Sequence, residues 1–174
     1  MRKQPNKALA SIAHHEAGHA IMCWKERVRV DRITIIPNEI AEGSVRHANV
    51  LTGIDLEYDN SPRAQRRIEA LVRVCLAGPI AQRAFYPRGY RHQHGQNDHI
   101  QAVTLLSKMT GSIEEQEAYL HLLSTQTNQY ITGREGSALV SGVAAALLDR
   151  REISRRSINP LIRQVMQEAV MGKN

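Results

Sequence analysis

One stretch near the N-terminus decides the fold. Residues 7–25 read Lys7-Ala8-Leu9-Ala10-Ser11-Ile12-Ala13-His14-His15-Glu16-Ala17-Gly18-His19-Ala20-Ile21-Met22-Cys23-Trp24-Lys25. Apolar residues recur there at intervals of three and four, which is the pattern of one buried helix face. Asn6, just before the stretch, is a suitable N-cap. We therefore predict a helix over Lys7–Lys25 that contains the pattern His15-Glu16-Ala17-Gly18-His19.

The composition fits one globular domain. Of the 174 residues, 42% are hydrophobic and only 4% are aromatic, so aliphatic side chains must form the core, which favours helices. We expect both cysteines, Cys23 and Cys75, to be reduced and packed. Neither an apolar segment behind Met1–Pro5 nor a run of about eighteen apolar residues is found, so a cytoplasmic protein without a membrane span is expected.

The net charge of +6 comes largely from arginine. The arginines fall into groups at Arg63, Arg66, Arg67 and Arg73, at Arg88 and Arg91, and at Arg150, Arg151, Arg155 and Arg156. Acidic partners would suit this charge, but no nucleic-acid motif or aromatic residues interleave with it. We interpret the arginines as a solvated basic surface, and binding to nucleic acid as the less favoured alternative.

Only one region favours β-structure. Val28–Ile36 alternates and is rich in β-branched residues, Pro37-Asn38 interrupts it, and Gly43–Val50 offers a second extended run. These two runs predict a small antiparallel pair.

The remainder of the chain is predicted to be helical. Asn60-Ser61-Pro62 should cap a helix over Pro62–Phe85, which Gly78-Pro79 should kink or interrupt. Tyr86–Gly95 is a predicted loop, and Asn97 should cap the next helix, which runs to about Lys108 and ends before Gly111. Three more helices are predicted, separated by Thr132-Gly133 and by a polar, arginine-rich turn: Ile113–Tyr130, Ser137–Arg150 and Ser157–Met171.

The histidine pattern indicates a metal site. On a helix, residues four apart share a face, so His15 and His19 can both bind one zinc ion. Glu16 would then lie beside the open coordination position and act as the general base on zinc-bound water. Gly18 costs helix stability, which indicates close approach of substrate or of another backbone, with tight helix packing as the alternative.

A catalytic zinc ion needs a third protein ligand from elsewhere. The metzincin class is excluded because Met22 and Lys25 replace the glycine and histidine of that motif. The best zone is residues 92–99, where four side chains could serve: His92, His94, Asp98 and His99.

Five segments, in order, narrow the choice: His15-Glu16-Ala17-Gly18-His19-Ala20-Ile21, Ile33-Thr34-Ile35-Ile36-Pro37, Leu76-Ala77-Gly78, Gly95-Gln96-Asn97-Asp98, and Ala146-Leu147-Leu148 to Ile158. Together they resemble the peptidase domain of the FtsH-type zinc proteases over about Ala8 to Val170. The resemblance implies zinc bound by His15, His19 and Asp98, with Glu16 as the base. His92, His94 and His99 are then extra histidines, which we expect to be exposed loop residues, with contact to the metal or the substrate as the less favoured alternative.

The sequence departs from this family in two respects. It contains no Walker phosphate loop and no spanning segment, so we expect it to work without an ATPase of its own. Ala77-Gly78-Pro79 and Ala81-Gln82-Arg83 replace the usual Gly-Gly-Arg and Ala-Glu-Glu, which removes two acids and puts outer support of the metal site in question.

The sequence thus predicts a mainly α, helical zincin-like metallopeptidase domain with a small antiparallel β-hairpin or sheet and a C-terminal helical bundle. Residues 1–174 would form one FtsH-like domain, with the zinc-site core in 1–110 and a helical subdomain in 111–174. The expected function is zinc-dependent endopeptidase activity on unfolded or flexible proteins, which a separate unfoldase could deliver. The alternative is a catalytically inactive FtsH-like metal-binding module with a regulatory or interaction role.

Overall fold

The computed structural model describes residues 7–37, 43–55 and 59–171, and the fold in these ranges is mainly α with a small antiparallel sheet, as predicted. The helices are α1 (Lys7–Lys25), α2 (Pro62–Phe85), α3 (Gln96–Leu106), α4 (Ile113–Thr132), α5 (Arg134–Arg150) and α6 (Arg155–Met171). The strands are β1 (Val30–Thr34), β2 (Ser44–His47) and β3 (Glu152–Ser154).

Helices α1 and α2 pack tightly and form the centre of the main core. Gly18 faces α2, and a Cβ atom there would lie 2.5 Å from the Ala77 carbonyl oxygen and 2.7 Å from the Ala81 Cβ atom. Only a residue without a side chain permits this approach. The glycine between the two motif histidines therefore permits the close approach of another backbone, that of α2, in tight helix packing, so the two interpretations drawn from the sequence coincide here.

Helix α2 continues through Gly78-Pro79, so of the two predicted effects, a kink or an interruption, the interruption is wrong. Proline inside a helix removes one backbone hydrogen bond and costs about 3 kcal/mol or more. Gly78 is buried and Pro79 partly buried, and apolar contacts along α2 offset that cost. The predicted start is confirmed, because the Ser61 hydroxyl accepts a hydrogen bond from Ala64 N at 3.2 Å.

The sheet contains one more strand than predicted. Its order is β2-β1-β3, and β1 pairs antiparallel with both neighbours. Strand β3 occupies part of the predicted arginine-rich turn, and Ile153 is its one buried residue, opposite Ile33. A three-residue strand with a single apolar position gives no alternation to detect, which explains why the sequence missed it.

The segment before α3 also differs from the prediction. Short 3₁₀ turns at Pro87–Gly89 and His92–Gly95 occupy the predicted loop. Gly95 is the N-cap residue of α3, so Asn97 lies in the first turn and does not cap the helix. The predicted N-cap of α1, Asn6, lies outside the described residues.

Both thiols, Cys23 and Cys75, are free and buried, as expected. No helix in the described ranges combines the length and the apolar character needed to cross a bilayer.

Candidate metal centre

The two motif histidines meet on the buried side of α1. The Nε2 atoms of His15 and His19 lie 3.0 Å apart. His19 is buried and His15 is partly buried. The helical spacing of four residues thus brings two imidazole nitrogens to one point, as the sequence predicted.

Asp98 joins them from the first turn of α3. Its Oδ2 atom lies 3.2 Å from His15 Nε2, and its Oδ1 atom lies 3.4 Å from His19 Nε2. Gly95 helps to fix the start of α3, because a Cβ atom there would come within 2.8 Å of Pro79 and 2.7 Å of the Tyr90 hydroxyl. Close packing of this turn on α2 therefore carries the carboxylate to the histidine pair.

His15, His19 and Asp98 form a group able to hold a metal ion. Four tetrahedral ligands at about 2.0–2.1 Å from zinc lie about 3.3 Å from one another. The two imidazole nitrogens lie 3.0 Å apart, and they lie 3.2 and 3.4 Å from different oxygens of the Asp98 carboxylate, which is close to that edge length. One atom from each of the three residues can therefore reach a common ion.

Each histidine is oriented by a partner on α2. His15 Nδ1 lies 2.9 Å from Gln82 Oε1, while Gln82 Nε2 donates to the Ser11 hydroxyl at 3.1 Å. His19 Nδ1 donates to the Val74 carbonyl oxygen at 2.7 Å. With each Nδ1 protonated, both Nε2 atoms present lone pairs for a metal ion. Gln82 therefore supplies outer support that the sequence put in question.

Gly78 makes room for His19. A Cβ atom at this position would overlap the imidazole ring of His19. The backbone of α2 thus packs directly against the His19 ring at Gly78, the residue before Pro79. The Leu76-Ala77-Gly78 segment, singled out only by resemblance, has a steric role at the site.

Electrostatics in the described structure favour the ligand-competent states of His19 and Asp98, whereas His15 is biased toward its protonated form. Burial lowers the pKa of His19 to about 4, so its imidazole is neutral at pH 7. Burial also opposes charge on His15, but the Asp98 hydrogen bond and the nearby carboxylates outweigh it and raise its pKa. Burial opposes charge on Asp98 as well, yet its histidine partners hold its pKa below the ordinary value.

Glu16 lies beside the three ligands in a closed environment. Glu16 is only 6% exposed. Burial raises the pKa of its carboxyl group to about 7, although the nearby His15 acts in the opposite direction. Gly43, just before β2, lies against it, since a Cβ atom there would come 2.8 Å from Glu16 Oε1. The pKa of the Glu16 carboxyl group therefore lies close to neutral pH, which suits a group that both accepts and donates a proton.

The three extra histidines do not join this group within the described residues. His92, His94 and His99 are all exposed. His94 Nδ1 accepts a hydrogen bond from Arg91 N at 3.2 Å and so stabilises its own turn. Their exposure agrees with the expectation, but His99 lies in α3 and not in a loop, and His94 has this local structural role.

Sequence reasoning missed four groups at the site: Gln82, the Val74 carbonyl, Gly78 as the space beside His19, and Gly43 over Glu16. Gln82 lies at a position marked only as a departure from the family pattern. Its contact with His15 spans 67 positions in the chain. No local pattern reports such a contact.

No family model matches this chain, and no curated protein matches it either. The site is therefore interpreted from its own geometry.

Proposed function

We propose that this chain is a zinc-dependent endopeptidase that hydrolyses peptide bonds of unfolded or flexible proteins. The observation that carries the proposal is the convergence of His15, His19 and Asp98 with the buried carboxyl group of Glu16 beside them. Two imidazoles and a carboxylate are the ligand types of known catalytic zinc sites. Among the described residues three side chains converge, rather than four, which favours an open position over a purely structural ion.

When bound, zinc would acidify a water molecule and polarise the peptide carbonyl. Glu16 accepts the proton of the attacking water and delivers it to the leaving amine. A pKa of about 7 suits both directions of transfer. Gln82 and the Val74 carbonyl hold the imidazoles in the tautomer that leaves Nε2 free.

Strand β2 is a suitable place for an extended substrate. It lies at the edge of the sheet, and within the described residues no strand pairs with its outer side. Gly43 at its start contacts Glu16, so a peptide added along this edge would pass the general base. Edge pairing selects extended chains, which supports unfolded proteins as substrates.

The same ligand set supports the FtsH-type resemblance, which remains part of the proposal. In that interpretation the chain acts as a peptidase that does not itself use ATP, and a separate unfoldase could supply unfolded substrate.

The proposal is tested by Glu16→Gln, with Glu117→Gln on the exposed face of α4 as the matched control. We expect about one zinc ion per chain in all three proteins. Cleavage of fluorescently labelled casein should fall about 100-fold or more in Glu16→Gln, because general acid–base catalysis is lost, and stay unchanged in the control. A wild-type protein without zinc, or equal rates in wild type and Glu16→Gln, would contradict the proposal.

A further inference from the structure

A basic cavity lies at the C-terminal end of α1, apart from the metal centre. Its volume is about 700 Å³, within the range of small-molecule sites. Five arginines line it, together with Trp24 and Asn159: Arg27, Arg29, Arg155, Arg156 and Arg163. All five arginines are exposed and thus open to a ligand from solvent.

The arginines reach this cavity from separate parts of the chain. Arg27 and Arg29 lie in the turn between α1 and β1, and Arg155 and Arg156 begin α6. Arg163 lies eight residues after Arg155, and residues at intervals of four share one helix face. The helix start adds partial positive charge to the same region. The fold thus gathers positive charge that the sequence scatters over 137 positions, from Arg27 to Arg163.

Little of this charge is neutralised by the residues that the structure describes. Arg29 donates to Asp31 at 3.0 Å. Within the described ranges, no carboxylate forms an ion pair with the other four arginines. Guanidinium groups bind phosphate through paired hydrogen bonds, and several of them around one cavity suit a ligand with several negative charges.

Arg27 occupies an unusual backbone conformation. It has φ of 58°, the left-handed region, directly after α1. Val28 N donates to the Cys23 carbonyl oxygen at 2.8 Å, which completes a helix end at which glycine is the usual residue. Arginine is less favourable than glycine in this conformation. The fold accepts this disadvantage at the residue whose side chain lines the cavity.

We propose that this cavity binds a compact anion carrying two or more phosphate groups, of the nucleoside polyphosphate or inorganic polyphosphate class. A single-stranded nucleic acid would need a longer track. The adjoining concavity shares Arg27 and adds three arginines, but it also contains Glu26. There, Arg67 already donates to the Val50 carbonyl oxygen at 2.7 Å. The observations therefore favour a compact ligand in the first cavity.

The test is calorimetric titration with inorganic tripolyphosphate at low ionic strength, comparing wild type, Arg27→Gly and Arg151→Gly. Arg151 also has a left-handed backbone, with φ of 66°, at the end of α5, but it does not line the cavity. Both changes remove one positive charge from a helix end where glycine fits. We expect Arg27→Gly to weaken binding about tenfold, through loss of a charge-assisted contact, and Arg151→Gly to leave it unchanged.

The paired variants also deal with metal chelation by tripolyphosphate. Both keep His15, His19 and Asp98, so any binding through a metal ion affects them equally. Absence of binding to wild type, or equal affinities of the two variants, would overturn the proposal. Citrate binding as tightly as tripolyphosphate would overturn the assignment to phosphate. A twelve-nucleotide single strand that binds more tightly than tripolyphosphate, and loses affinity equally in Arg66→Gln and Arg27→Gly, would overturn the compact ligand in favour of nucleic acid.

Discussion

The metal centre and the arginine cavity both draw on α1, but they are constructed in opposite ways. At the metal centre, the Nε2 atoms of His15 and His19 lie 3.0 Å from each other and 3.2 and 3.4 Å from the oxygens of Asp98, and both histidines are fixed through their second nitrogen. In the cavity, exposed side chains on flexible stems share one space, and only Arg29 has a partner carboxylate among the described residues. Function at the metal centre would therefore depend on the positions of individual atoms, whereas anion binding in the cavity would depend on the total positive charge.

This difference predicts how each region responds to change. In a buried site of fixed geometry, one added methyl group or one lost hydrogen bond should have a large effect, because the neighbours cannot adjust. Exposed charges are screened by salt and contribute in smaller steps.

Asp98→Ala should have the largest effect. In the proposed zinc site it removes one ligand and leaves only two imidazoles, so zinc affinity should fall by more than about 100-fold, the upper end of what losing an outer partner costs. Competition with a fluorescent zinc chelator measures this affinity. Asp149→Ala, at an exposed position on α5, is the control and should retain wild-type affinity. Zinc binding in Asp98→Ala within tenfold of wild type would show that the carboxylate is not a ligand.

Gly78→Ala should be destabilising, although alanine normally favours a helix over glycine by about 1 kcal/mol. The added methyl group would overlap the His19 ring, and overpacking of this kind costs about 1–3 kcal/mol. Urea unfolding of the metal-free protein measures the loss, and zinc affinity should fall with it. A Cβ atom at Gly111 would lie in open space, with Glu115 Oε2 as its nearest neighbour at 3.7 Å. Gly111→Ala should therefore change neither the stability nor the zinc affinity. A more stable Gly78→Ala protein would contradict the close contact.

Sequence alone predicted the local part of the site and missed the rest for a physical reason. His15 and His19 could be paired because one helix sets their spacing. Asp98 was one of four candidates and was selected by resemblance, since its approach depends on how α3 packs against α2. Gln82 could not be predicted as a partner of His15, because that contact depends on the rotation of α2 against α1.

The fold was predicted to a similar extent. The bounds of α1 and α2 are confirmed because their periodic apolar faces are long. Strand β3 was not predicted, and the predicted start of α3 was wrong. Each depends on a single residue, Ile153 or Gly95, whose role comes from tertiary packing. The arginine cavity was interpreted as solvated surface, since Arg27 and Arg155 come together only when α6 packs beside the turn after α1.

Gln82→Ala should have an intermediate effect. It leaves His15 Nδ1 without its acceptor, and loss of such an outer partner typically lowers metal affinity by about 10- to 100-fold. Gln82→Glu keeps an acceptor oxygen and should restore affinity to at least the wild-type value, because a carboxylate raises the basicity of the ligand. Chelator competition on the three proteins measures both. Equal losses in the two variants would assign Gln82 a packing role only.

Arg27→Gly should have the smallest effect and the opposite sign, because it raises stability. A left-handed non-glycine residue costs about 1–2 kcal/mol, and part of the gain is offset by the freedom of glycine in the unfolded chain, which leaves roughly 0.5–1 kcal/mol. That corresponds to a rise in Tm of about 2–4 °C at most for a chain of this size.

Arg151→Gly should give the same backbone gain, since its φ is similar. The stability gain of Arg27→Gly should be slightly larger than that of Arg151→Gly at low salt, because removing one of five neighbouring guanidinium groups also relieves repulsion. Thermal unfolding of both variants at about 0.01 and 1 M salt separates the two contributions, since only the repulsion is screened. If the additional stability gain of Arg27→Gly disappears at high salt, then repulsion among the arginines of the cavity destabilises the wild-type protein. An excess that persists at high salt would assign the difference to the backbone alone.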